Sequence, residues 1–214
     1  MTRKTLIGIS ALALAALVAG CSDGDGVVTP TEEDGALSAS QMADVAMQSD
    51  LVTEEILNAE LSAMDASAAG DHPPTGTVTR EVTFSRTRPC PGNGRFHLEG
   101  TIRRTYDFDT HVMEAESSGL RSRTDCVFPR GDMTITVNDT ANWETDRRRV
   151  DGRPDGPQTS HYYGSTSAVR SDGEERSCEY DVTIVRDPDT HTRTLDGMIC
   201  GTEVHRSVTW SHGE

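Results

Sequence analysis

From Thr77 onward the chain alternates apolar and polar residues with a period of two. Phe96, Leu98, Ile102, Tyr106 and Phe108 share one parity; Arg95, His97, Glu99, Thr101, Arg103 and Asp107 share the other. Met133, Ile135, Val137, Ala141 and Trp143 repeat the pattern, as do Tyr180, Val182 and Ile184, and Val208 with Trp210 closes it. Such alternation predicts strands buried on one side only. Asp107-Phe108-Asp109-Thr110, Pro129-Arg130-Gly131-Asp132, Asp151-Gly152-Arg153-Pro154, Ser171-Asp172-Gly173 and Asp187-Pro188-Asp189-Thr190 separate the runs. Gly supplies positive φ, Asp side-chain turns and Pro a fixed φ, so these are turns. About eight strands joined by short turns read as an antiparallel meander. The expected fold is mainly β: an open or closed barrel with one N-terminal helical segment packed on it.

That helical segment is Ser38 to Ala68, which lacks Gly and Pro and is rich in Ala, Leu, Met and Glu. Met42, Val45, Ala46, Val52, Ile56, Leu57, Leu61 and Met64 recur at three- and four-residue steps, as one helical face does. Ser38 with Gln41 predicts a capping box. Ser49-Asp50 is expected to interrupt the helix and restart it. Gly70, Pro73, Pro74 and Gly76 end the segment. It is expected to pack on its own domain, because helix stability comes mainly from such packing.

The N-terminus carries a third pattern. Arg3 and Lys4 precede a nearly continuous apolar run from Leu6 to Leu17, and small residues then precede Cys21. A charged head, a short apolar middle and a small-residue cleavage site make an export signal. The run from Thr5 to Gly20 falls short of the roughly 20 apolar residues that cross a bilayer. Leu17-Val18-Ala19-Gly20-Cys21 resembles the lipobox of bacterial type II signal peptides. The resemblance covers the first 21 residues and implies cleavage before Cys21, with lipidation of its sulfur. Two or more acyl chains anchor a protein stably, whereas one holds it marginally. Ser22 after the cysteine implies the outer membrane in the familiar sorting scheme. The organisation is therefore a leader over 1–20, an acidic tether over 21–36, a helical segment over 37–69, a linker over 70–76 and a β domain over 77–214.

Composition changes this picture in two ways. The formal charge is -15, and losing Arg3 and Lys4 makes it two units more negative. Such a chain has little to neutralise phosphates with, which argues against a nucleic-acid partner. Apolar residues are 34% of the chain, too few for a large multilayer core, so cross-links should help a thin sheet. Cys90, Cys126, Cys178 and Cys200 remain after Cys21, an even number expected to pair in an exported protein. Three pairings are possible. Facing residues in a hairpin have a constant index sum, and Cys90–Cys126 centres on the turn at Phe108 while Cys178–Cys200 centres on Asp189. Those two pairings are expected, with a bulge near Cys200 because its parity opposes Leu195 and Ile199. None of the four forms Cys-x-x-Cys, so neither a metal site nor a redox pair is expected.

Candidate chemistry is sparse. Asp107-Phe108-Asp109-Thr110-His111 and Asp187-Pro188-Asp189-Thr190-His191 share a pattern that could ligate a cation, but Asp also favours turns. His97 with Glu99 reads as an exposed contact, and His161-Tyr162-Tyr163 as a sheet contact. Arg147-Arg148-Arg149 reads as a solvated strand end or loop, and Asn138-Asp139-Thr140 as a chance sequon. No serine-hydrolase, zinc-protease or phosphate-loop motif is present. No cofactor, metal or catalytic residue is expected. Three function classes remain. The first is a non-catalytic envelope lipoprotein, held on the membrane by its lipid and meeting other envelope proteins. The second is a barrel carrying a small apolar ligand or lipid against Phe96, Leu98, Val137, Trp143 and Val182. The third is a hydrolase or metal-dependent enzyme in which His111 and His191 converge with carboxylates.

Overall fold

A computed structural model of the chain describes residues 37–66 and 75–210. Cys21, the leader and the tether lie outside these residues, as do most of the expected linker and the last four positions. The described part is one helix and one sheet. Helix α1 spans Ala39–Ala66, and the strands are β1 (Thr77–Pro89), β2 (Asn93–Asp107), β3 (Val112–Arg130), β4 (Met133–Val150), β5 (Arg153–Pro154), β6 (Gln158–Arg170), β7 (Glu175–Asp187), β8 (Thr192–Ile199) and β9 (Thr202–Thr209). All pairing is antiparallel, in the order β1-β2-β3-β4-β6-β7-β8-β9, with the two-residue β5 folded back on β4. The mainly β meander expected from the sequence is therefore present, as an open barrel: β1 and β9 do not pair.

α1 bridges the opening. Glu60 pairs with Arg86 of β1, and Asp44 accepts from Arg206 of β9 at 2.8 Å. The helix starts where expected. The Ser38 backbone N–H donates to Gln41 Oε1 at 2.9 Å, and Gln41 N–H donates to Ser38 Oγ at 3.1 Å, a reciprocal capping box. It does not break at Ser49-Asp50. Ser49 Oγ donates to the Val45 carbonyl within the helix, and Asp50 turns toward the sheet. The first half is buried almost all round, including Ala43, Val45, Ala46, Met47 and Ser49. A helix surrounded by protein needs no polar face. The second half shows the expected stripe, with Ile56, Leu57, Leu61 and Met64 buried and Glu55, Ser62 and Asp65 outside.

Successive rungs of inward residues form the core. One rung runs Phe84, Gly100, Gly119, Trp143, Tyr162, Val182 across β1 to β7. The facing glycines matter. A Cβ at Gly100 would lie 2.2 Å from the Ser118 carbonyl oxygen and 2.8 Å from Trp143 Cζ2; one at Gly119 would lie 2.0 Å from the Glu99 carbonyl oxygen. Only residues without a side chain let β2 and β3 bend this tightly around the indole.

The disulfides join Cys90 to Cys126 and Cys178 to Cys200, with Cα atoms 5.3 and 4.9 Å apart. Each restricts the unfolded chain by about 3–4 kcal/mol in the chain-entropy account. The pairing is as expected, but the registers differ. Arg95 faces Thr124, three positions beyond the partner the cysteine sum predicts, because Cys90 lies in the β1–β2 turn and β3 bulges at Asp125. Tyr180 faces Ile199, one position off, and Cys200 absorbs the difference with φ of 53° in the β8–β9 turn.

Candidate functional site

Under α1 the inner face is not simply apolar. Continuing the odd parity of Ile135, Val137 and Ala141 along β4 puts Asp139, Trp143, Thr145 and Arg147 inside as well. On β3 the same logic turns Arg121 and Arg123 inward, and Arg123 faces Asp139 across the strand pair. Asp139 Oδ1 accepts from Arg123 Nε at 2.8 Å, and Oδ2 accepts from Arg121 Nη2 at 3.1 Å and the Tyr180 hydroxyl at 2.8 Å. Burial works against this carboxylate, yet the two guanidiniums outweigh it and hold its pKa well below the usual range. Arg121 lies 4.6 Å above the Tyr162 ring. Arg123 Nη1 donates to Ser49 Oγ of α1 at 2.6 Å, which ties the network to the helix.

Two further contacts complete the helix–sheet junction. The Tyr162 hydroxyl donates to Asp50 Oδ1 at 2.7 Å, and Arg193 lies 3.4 Å from Asp50 and 3.0 Å from Glu54. Burial first, then Asp50, push the Tyr162 phenol upward, so it stays a donor. Arg147 Nη1 and Arg149 Nη2 both donate to the side-chain oxygen of Asn58, at 2.7 and 2.9 Å. The Arg147–Arg149 stretch is thus a strand segment with alternating faces, not a solvated end. Arg147 is buried, and only Arg148 turns out, toward Asp155 and Glu114.

The outer face carries the remaining candidates. His161 Nε2 lies 2.7 Å from Asp181, His205 Nδ1 2.5 Å from Asp196, and His97 Nε2 3.4 Å from Glu99. All three pairs face solvent; His97 and Glu99 share β2, while His161, Thr183, Asp196 and His205 stand on one rung across β6 to β9. Two shallow troughs of about 640 and 620 Å3 lie on this side. Ser122, Thr140 and Ser165 line one; Thr101, Leu120 and Tyr163 line the other.

The repeated Asp-x-Asp-Thr-His pattern has a local cause. Asp107 Oδ1 accepts the backbone N–H of Asp109 at 2.8 Å and of Thr110 at 3.1 Å, and Asp187 does the same for Asp189 and Thr190 at 2.9 and 3.3 Å. His111 and His191 then take φ of 55° and 54°. Both sequences write one turn, and its backbone hydrogen bonds lower both aspartate pKa values. The two histidines have different neighbours: His111 lies 3.4 Å from the Tyr106 hydroxyl within its own hairpin, and His191 stacks edge-on with Trp210, just past β9. Among the described residues, no three His, Cys, Asp or Glu side chains are placed to hold a metal ion. Phe96, Leu98, Val137, Trp143 and Val182 are all core, and α1 occupies the side of the sheet they face.

The inner ion pairs carried one readable sign, the unbroken parity of β4 from Ile135 to Arg149. The helix partners, Ser49, Asp50, Glu54 and Asn58, carried none, since no local pattern encodes which residue meets which across the interface. The chain matches no family model, no curated protein and no solved structure.

Proposed function

We propose that this chain is a lipid-anchored bacterial envelope lipoprotein whose β domain acts without catalysis, through binding or scaffolding. The observation that carries the reading is the Leu17–Cys21 stretch behind a basic and apolar leader. It is supported by the pairing of all four other cysteines, which suits an oxidising compartment. Ser22 places it on the outer membrane in this reading. The anchor holds the domain at a surface, and the short tether sets its reach. The reactive side chains favour the same view, since the histidine–carboxylate pairs lie on a solvent-facing side of the sheet.

The test is the intact mass of protein recovered from its own envelope. It should begin at Cys21, carry a diacylglyceryl group and an acyl chain, and lack four thiol hydrogens. Cys21→Ala should leave the protein unacylated and released from membranes. An unmodified Cys21 in the exported product would overturn the reading.

A further inference from the structure

The inner face of β4 presents Trp143, Thr145, Arg147 and Arg149 at consecutive inward positions, and Ser117 of β3 faces Thr145. Every one of these side chains carries a hydrogen-bond donor. Trp143 Nε1, Thr145 Oγ1, Ser117 Oγ and Arg149 Nε are buried without a partner. Arg147 and Arg149 share one acceptor, and it is neutral: Asn58 Oδ1. Among the described residues, no carboxylate lies within ion-pair distance of either. The helix acid whose charge reaches Arg147, Asp50, is itself engaged by Tyr162 and Arg193.

This is a surplus of donors and of positive charge in one buried strip, inside a protein of net charge -15. Elsewhere under α1 the arginines meet acids: Arg104 meets Asp65, Arg86 meets Glu60, and Arg193 meets Glu54. At Arg147 and Arg149 the helix offers an amide. Burying a cation without a counter-charge is costly, and a group with several acceptor oxygens removes the cost. Two guanidiniums with two hydroxyls on the next rung offer more donors than the two oxygens of one carboxylate take up, and a phosphate group has further acceptor oxygens for them. Burial presses the Arg147 pKa downward; the charge of Asp50 offsets this only in part, and the neighbouring Arg149 adds a smaller downward push. Arg149 is only half-buried and opens the strip to solvent.

We propose that Arg147 and Arg149, with Ser117 and Thr145 on the next rung, bind a phosphate group beneath the C-terminal half of α1. Inorganic phosphate and the headgroup of an anionic phospholipid present this same chemistry. The site does not depend on the lipid anchor, so the two proposals fail separately.

The full chain in nonionic detergent is titrated with inorganic phosphate against chloride at matched ionic strength, following thermal midpoint and binding heat. Phosphate should raise the midpoint saturably and chloride should not. Asn58→Asp supplies the missing counter-charge within the chain. It should raise the midpoint without phosphate and weaken phosphate binding by about tenfold or more, as should Arg149→Gln. Short-chain phosphatidic acid binding about tenfold tighter than inorganic phosphate, with the matching diacylglycerol inert, identifies a lipid headgroup; equal affinities identify the free ion. The proposal is overturned if phosphate acts no better than chloride. It is equally overturned if Asn58→Asp destabilises the protein or binds phosphate as well as the parent.

Discussion

Along β4, Asp139, Trp143, Thr145 and Arg147 turn toward α1 while Asn138, Asn142, Glu144 and Asp146 turn to solvent. The same split recurs on β3, where Arg121 and Arg123 are buried and Glu114 and Glu116 exposed. The two faces of one sheet thus differ in charge as well as in polarity. Arginines collect inside against a helix bearing Asp44, Asp50, Glu54, Glu60 and Asp65, while carboxylates and hydroxyls cover the outside. A net charge of -15 hides a cationic inner surface. Net charge speaks about solubility and long-range approach, not about what a covered face can hold.

The contrast breaks most sharply at Asp139. Asp139→Asn leaves Arg121 and Arg123 buried with no anion between them, at a cost of about 3–5 kcal/mol in equilibrium denaturation. Acid tests the same pair. A carboxylate held below its unfolded pKa of about 3.9 adds stability at higher pH, and that stability fades as pH falls through the unfolded and then the folded value. The wild type should therefore lose stability steeply below about pH 4, and Asp139→Asn should show a shallower acid limb. Equal slopes would mean that the pair contributes nothing to the acid limb.

Much of the architecture was legible beforehand because it is local. Strand parity, turn composition and the Ser38–Gln41 cap each act over a few residues, and each appears where expected, save that Met133 and Val208, near strand ends, are exposed rather than inside. The cysteine pairing was legible too, but its register was not, since positive φ at Asp125 and Cys200 adds residues that no periodic count anticipates. Ser49-Asp50 misled for a related reason. These residues disfavour a helix in isolation, and here Arg123 and Tyr162 engage their side chains from across the sheet. The same long-range contacts hid the site: Asn58 becomes notable only once Arg147 and Arg149 are seen to share it.

A smaller break separates helix docking from core charge. Tyr162→Phe keeps the ring under Arg121 and removes only the hydroxyl that donates to Asp50. Losing a hydrogen bond to a buried charged acceptor costs about 1.5–3 kcal/mol. Hydrogen exchange should localise that loss to α1 and leave the outer strands protected. Uniform loss across the sheet would show that the helix and sheet unfold as one unit, with no separate helix step.

The least effect belongs outside, and it sharpens the comparison most. His161 and Asp181 are only 2.7 Å apart, closer than many inner contacts, so distance alone would rank them among the strongest. Both side chains are exposed, however, at 36% and 69%. Water solvates either partner when the other is removed, so His161→Ala should change stability by less than about 0.5 kcal/mol. Arg193 and Glu54 are 3.0 Å apart with side chains 7% and 13% exposed, and removing Glu54 should cost several times more. If the two substitutions cost the same, burial beneath α1 does not set the strength of these pairs. The inner face would then be held by its apolar rungs alone.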